Sequence, residues 1–323
     1  MLGGGAIGVV VGLTGMGGGA LMTPMLVLLF GIPPLAAVSS DLVVSAVMKP
    51  VGGLVHIRRR TVTWPLVGWL CLGSMPTAFA GVWLLRALGD GERLQHAVKV
   101  ALGVALLLAA AGLVFRTYTR MVEHAARRRR IAAGGAAAAE ADMAQPDPPL
   151  RVRPVPTVLI GALGGLIVGM TSVGSGSLII IALMMLYPLL SPASLVGTDL
   201  VQAVPLVASA AIGHLLFGDF RLDLTASLLL GAIPGAWLGA QFSTRAPGGL
   251  VRRALTLVLV ASALKLLGMP DVPLLWTLAV LVVVGSLGWM AARRRHGLPA
   301  LARTERRLAA AQRQEPAGLV ARQ

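Results

Sequence analysis

A single ammonium, that of Lys49, falls well inside a run of apolar residues, where an isolated charge costs several kcal/mol unless it is paired or wetted. Such a group suits contact with a negatively charged solute or a proton relay. Its rivals are pairing with Asp41, two turns earlier on a similar helix face, or snorkelling to the interface. Asp41 and Asp199 each lie about six residues into an apolar run, following Ser or Thr. Carboxylates there can hold a coupling ion or a substrate group, or can cap a helix N-terminus. His56 and His214 close two of the runs, where an imidazole either compensates a helix C-terminus at the interface or exchanges protons near neutral pH. Gln202, one turn after Asp199, is placed to line a cavity or to bridge helices. This is equipment for binding ions and moving protons. Covalent chemistry lacks its parts: no H-E-x-x-H, G-x-S-x-G or G-x-x-x-x-G-K-[ST] occurs, Cys71 has no nearby partner, and no metal or cofactor is expected.

A second set of residues offers backbone rather than side chains. Gly12-Leu13-Thr14-Gly15-Met16-Gly17-Gly18-Gly19-Ala20-Leu21 recurs 157 residues later as Gly169-Met170-Thr171-Ser172-Val173-Gly174-Ser175-Gly176-Ser177-Leu178. Glycine loses the most backbone freedom on ordering, so each copy should interrupt a helix. In lipid, such a break is tolerable only where the freed amides and carbonyls face protein or a wet cavity. A helix opening after the break, near Ala20 and again near Ser177, turns unpaired N–H groups and the positive end of its dipole toward one spot, which favours a small anion. Met16, Gly17, Gly18 and Gly19 in the first copy and Gly174 and Gly176 in the second are the expected backbone contributors. Thr14, Thr171, Ser172, Ser175 and Ser177 add hydroxyl donors. The plainer use of the same glycines is tight hairpin packing.

The elements that must position these residues are membrane helices. Hydrophobic residues make up 56% of the 323, charged ones 13%, and the mean hydropathy is +0.81, more apolar surface than a soluble domain can cover. The net charge of +15 does not indicate nucleic acid, since the arginines cluster between apolar runs instead of along one face. The chain from Leu2 lacks the basic n-region of a signal peptide and reads as a retained membrane element or a truncated start. Apolar runs cover about 2–31, broken at the glycines, then 35–57, 64–86 and 95–115, most close to the roughly 20 residues a helix needs to cross the hydrocarbon. Residues 116–156, with Arg127 to Arg130, an Ala/Gly run and Asp147-Pro148-Pro149, read as a basic, solvated, largely disordered linker. The pattern returns over 157–190, 192–217, 224–243 and 250–267. An extra span at 272–291, within 268–291, and a basic tail, 292–323, close the chain. Pro50, Pro76, Pro205 and Pro234 fall inside spans and should kink them.

The domains expected are thus a first membrane repeat, 1–115, and a second, 157–267. Val38-Ser39-Ser40-Asp41-Leu42-Val43 matches Val196-Gly197-Thr198-Asp199-Leu200-Val201, His56 matches His214, and Gly73-x-x-Pro76 with Gly81 matches Gly231-x-x-Pro234 with Gly239. Val207 stands where the first repeat has Lys49. Small residues four apart, such as Gly161, Gly165 and Gly169, make flat stripes that let backbones approach. If each first run enters and returns on one side, the second repeat is inverted and the loop and tail Lys and Arg divide 22 against 3, with only Arg86, Arg93 and Arg221 outside. A parallel arrangement divides them 12 against 13 and breaks the positive-inside rule. The fold class is therefore all-α: a polytopic helical membrane protein of two inverted-topology repeats, each with a broken or re-entrant first element, plus one C-terminal span. The first run has about 30 residues, so two limbs of roughly 12–15 in it would each be too short to cross. Such repeats hold a transported solute at their interface.

The Gly15–Gly19 cluster opening a repeat, Gly197-Thr198-Asp199-Leu200 near the start of the next span, and the duplication of the whole pattern resemble the sulfite exporter TauE/SafE family of membrane transporters over roughly 1–115 and 157–267. The first repeat departs from the pattern, with Ser39-Ser40-Asp41 where Gly-Thr is expected. The resemblance implies movement of sulfite, a sulfonate or another small organosulfur anion across the bacterial inner membrane, commonly outward, with linker and tail cytoplasmic. H+ or Na+ is the expected coupling ion and membrane lipid the surroundings; no nucleic acid is involved, and no oligomeric state follows from the pattern. A passive anion channel and a non-transporting scaffold acting through the basic segments are the alternatives.

Overall fold

The computed structural model describes residues 5, 8–9, 19–87, 89, 91–144, 151–174, 176, 178–188, 190–243 and 248–299. Among these the regular structure is helical throughout: α1 (Gly19–Phe30), α2 (Pro34–Arg58), α3 (Trp64–Ala87), α4 (Glu92–Ala144), α5 (Pro154–Thr171), α6 (Leu178–Leu186), α7 (Pro192–Phe217), α8 (Leu222–Ser243), α9 (Gly248–Leu266) and α10 (Asp271–Arg295). Six helices among the described residues are long and apolar enough to cross a membrane: α2, α3, the Glu92–Ala126 part of α4, α5, α7 from Ala193, and α10. This is a polytopic helical membrane protein.

Local chemistry sets most boundaries. Proline, which needs no N–H partner in a first turn, starts α2, α5 and α7. Ser191 caps α7, its Oγ accepting from the Ser194 N–H at 3.1 Å. α2, α3, α7 and α8 run on through Pro50, Pro76, Pro205 and Pro234. α5 stops where Ser172 takes a left-handed conformation, φ 58°, and the glycines beyond it, Gly174 and Gly176, stand at φ 124° and 128°. Such angles suit glycine, which has no Cβ to clash.

Chain contacts divide the molecule into two units, Met1–Phe115 with Asp147–Leu274, and Arg116–Pro146 with Leu275–Gln323. In the first unit the glycine stripes are contact surfaces. A methyl group at Gly161, Gly165 or Gly169 of α5 would stand 2.4, 2.3 and 2.2 Å from the carbonyl oxygens of Leu70, Ser74 and Ala78 on α3. The helices therefore run parallel with backbones touching. The equivalent pairing recurs between the halves: a methyl at Gly8 would meet the Ala232 carbonyl of α8 at 2.5 Å. α2 and α7, counterparts in the two repeats, pack antiparallel. Ser39 near the start of α2 meets His214 near the end of α7, while Thr198 near the start of α7 accepts from the Thr63 N–H just beyond α2. Leu35, Val38, Leu42, Leu66, Leu70, Leu206 and Val207 fill the core between these helices.

In the second unit, Met121, Ala125 and Leu298 are buried against Trp289 and Ala292. Tyr118 Oη lies 3.3 Å from His296 Nε2, and buried Arg293 donates from Nε to the Pro299 carbonyl at 2.7 Å. The apolar side chains of α10, among them Leu275, Trp276, Val280, Val284 and Leu287, are exposed, as befits a helix whose solvent is lipid.

Two expectations need correction. The disordered linker of 116–156 is helical as far as Ala144, because α4 continues through it; its Ala-rich run is good helix former, which composition weighed too lightly. The break of the first repeat lies outside the described residues, and in the second repeat the limbs are unequal. α5 has 18 residues and α6 nine, so the first limb, about 27 Å long, comes close to crossing by itself. Finally, Asp41 and Asp199 are not helix caps: α2 starts after Pro33 and α7 after Ser191, which puts both carboxylates about two turns inside.

Candidate functional site

The site is built around Asp41, fully buried on α2. Thr23 of α1 donates from Oγ1 to Asp41 Oδ2 at 2.6 Å. Ser45, one turn on, reaches Oδ1 at 3.5 Å. The hydroxyl of Ser172, the residue at which α5 breaks, hydrogen-bonds to the same carboxylate. One acid thus ties α1, α2 and the interrupted helix together. Hydrogen bonds to a carboxylate are among the stronger ones, at about 1.5–3 kcal/mol each.

Lys49, two turns further along α2, is partly buried, and its ammonium interacts electrostatically with Asp199 on α7 as well as with Asp41. The positions of the two aspartates are equivalent in the repeats; the lysine exists in one repeat only. Asp199 is as buried as Asp41. Gln202 donates from Nε2 to Ser74 Oγ of α3 at 2.7 Å. Among the described residues its carbonyl oxygen, though fully buried, has no hydrogen-bond partner, and neither has the buried hydroxyl of Ser40. An orphaned buried acceptor costs about 1–3 kcal/mol. Both atoms are therefore suited to a donor that arrives with a solute or water.

The break itself is partly self-satisfied. Thr171 Oγ1 donates to Ile167 O at 2.6 Å and accepts from the Val173 N–H at 3.2 Å, and the Leu178 N–H that opens α6 is taken by the Gly174 carbonyl at 3.1 Å. Of the sequence-derived candidates, the structure gathers Asp41, Lys49, Asp199 and Ser172 into one cluster. Thr171, Gly174 and Gly176 form the break beside it. Gly19 opens α1. Thr14, Met16, Gly17, Gly18, Ser175 and Ser177 lie outside the described residues.

The two histidines separate. His56 stays in the last turn of α2, half-buried, its Nδ1 2.9 Å from Thr61 Oγ1, which fits a residue at a helix end. His214, in the last turn of α7, is enclosed by protein. It is fully buried, with Nδ1 2.8 Å from Ser39 Oγ and Nε2 2.7 Å from the Gly169 carbonyl.

Sequence reasoning missed Thr23, Ser39, Ser45 and Ser74. Ser45 had a local signal, four residues after Asp41 on the same helix face. Thr23, Ser39 and Ser74 had none, because Asp41, His214 and Gln202, which they meet, lie on other helices.

The model of the family described as Sulfite exporter TauE/SafE matches residues 1–266. A probable membrane transporter protein, YjnA of Bacillus subtilis (strain 168), is 35% identical over 262 residues, covering 81% of this chain and 96% of that protein. A second, YdhB of the same organism, also named a probable membrane transporter protein, is 25% identical over 272 residues with the same coverage. No solved structure matches the chain significantly. A family match over most of the length, together with apolar helices packed through glycine stripes around buried ionisable groups, makes this chain a membrane transporter of the TauE/SafE family.

Proposed function

We propose that the protein is a secondary transporter of a small anion such as sulfite, a sulfonate or another organosulfur anion, working by alternating access as an exporter in the bacterial inner membrane. The linker and tail are cytoplasmic in this reading, and the two repeats are inverted. The antiparallel packing of α2 on its counterpart α7 supports the inversion. The solute sits between the two glycine breaks, with Lys49 as its counter-charge. Export as the direction and sulfite as the first candidate rest on the description of the family.

The observation that carries this reading is the cluster of Lys49 with Asp41 and Asp199 beside the Ser172 break. With all three groups ionised it holds one net negative charge. An anion entering such a low-dielectric place is repelled unless a cation enters too, since buried like charges interact far more strongly than in water. A proton or Na+ taken by one of the carboxylates releases Lys49 for the solute, which couples the two movements. No nucleotide-binding motif is present, so the energy comes from a gradient.

The test is flux of sulfite in proteoliposomes of the full chain under imposed pH and Na+ gradients. Saturable counterflow that accelerates with one of those gradients is expected. Single-channel currents, or linear flux indifferent to both gradients, would replace the carrier with a passive channel.

A further inference from the structure

The ring of His214 belongs to a chain of four groups that is one proton short. Ser39 Oγ lies 2.8 Å from the Leu35 carbonyl and 2.8 Å from His214 Nδ1, and Nε2 lies 2.7 Å from the Gly169 carbonyl. Carbonyls stand at both ends and can only accept. Three contacts need three protons, but a neutral imidazole and a hydroxyl hold two. With Nε2–H given to Gly169, the Ser39 proton must choose between Leu35 and Nδ1. The imidazolium alone completes all three: Nε2–H to Gly169, Nδ1–H to Ser39, and Ser39 O–H to Leu35.

The Gly169 end has its own reason to want a donor. Gly169 lies in the last turn of α5, and its carbonyl is one of those left over when the helix stops at Thr171. Val173, which would bond to it were the helix to continue, gives its N–H to Thr171 Oγ1 instead. A cation at that C-terminus also meets the negative end of the helix dipole. The charged and titratable neighbours are few. On α2, Asp41 follows Ser39 by two residues. From α3, Arg86 donates to the Phe217 and Gly218 carbonyls, at 2.6 and 3.3 Å, at the end of α7. Asp219 follows α7, and α4 offers the neutral Gln95 amide to the Leu35 N–H together with Glu92 in its first turn.

We propose that His214 is a proton-binding site of the transport cycle, at which a proton from the aqueous phase completes the Gly169–His214–Ser39–Leu35 chain and clamps the broken end of α5 to α2. Return of the proton to water leaves the single Ser39 hydroxyl proton to serve either Leu35 or Nδ1 and loosens the clamp. The device rests on the transport reading above and assigns it a proton carrier distinct from the carboxylates around Lys49.

The experiment is 15N-histidine NMR on the full chain in lipid nanodiscs, with His214→Gln identifying which of the five histidines is which. The expected ring is the Nε2–H tautomer at high pH, converting to the imidazolium on acidification with a hydrogen-bonded Nδ1–H resonance that Ser39→Ala abolishes. An Nδ1–H tautomer, or a ring that stays neutral from about pH 9 to pH 4, overturns the proposal. In proteoliposomes with sulfite, His214→Gln should cut pH-driven flux about tenfold, about 1.4 kcal/mol in barrier, while sulfite exchange without a gradient falls less than twofold. Equal loss of both overturns it. A wild-type protein that moves no sulfite counts against the transport reading, and the ring measurement then decides the proton site by itself.

Discussion

Ser39 of α2 and His214 of α7 meet at 2.8 Å across 175 residues of sequence, and the same meeting is repeated at the far end of the two helices. There a methyl on Gly197, the counterpart of Ser39, would stand 3.1 Å from Nδ1 of His56, the counterpart of His214. Two equivalent helices thus face each other head to tail, with a histidine at each end. One histidine is sealed in and doubly bonded; the other is half-buried and bonded to Thr61.

Glycine stripes packed this closely should not tolerate a single methyl group. Gly169→Ala would drive Cβ to 2.2 Å from the Ala78 carbonyl, whereas Gly68 on α3 has no atom of the described residues within 4 Å. Overpacking typically costs about 1–3 kcal/mol, so Gly169→Ala is expected to lower Tm in detergent. Gly68→Ala should leave it unchanged or raise it, alanine being about 1 kcal/mol the better helix former. Equal Tm values for the two variants would show that the stripe is not a packing surface.

Lys49 is expected to act as the shared partner of two acids. Lys49→Met leaves Asp199 and Asp41 facing each other without their cation. It should destabilise by less than the roughly 3–5 kcal/mol of a fully buried broken pair, because the lysine is only partly buried. Lys49→Met with Asp199→Asn should recover most of that loss in unfolding measurements, a coupling of about 0.5–3 kcal/mol. Neither variant should carry sulfite at more than about a tenth of the wild-type rate, a change of about 1.4 kcal/mol. Strict additivity in the cycle would separate Lys49 from Asp199.

Thr23 is expected to matter through Asp41 alone. Thr23→Val keeps the shape and removes the 2.6 Å donor, at a cost of about 1–3 kcal/mol for a buried acceptor left short. In Asp41→Asn the same Thr23→Val change should cost much less. If it costs as much in both backgrounds, the threonine serves packing and not the carboxylate.

Gly176 stands at φ 128°, and a β-branched residue there is strained by about 1–3 kcal/mol. Gly176→Val should lower Tm and abolish the thermal shift that sulfite is expected to produce in the wild type. A full sulfite shift in this variant would remove the break from the binding site.

What the sequence determined by itself was local. Apolar runs long enough to cross lipid, prolines at helix starts, and the glycine-rich stretch around Ser172 at which α5 ends all follow from transfer energies and backbone sterics. These need no neighbour to act. The same local reasoning misread 116–144, where alanines favour helix over disorder. The tertiary structure alone decided which polar atoms meet: Thr23 with Asp41, Gln202 with Ser74, His214 with Ser39 and Gly169. Each of these pairs joins different helices. Their meeting depends on how closely glycine faces let backbones approach, and that distance exists only once the helices have packed.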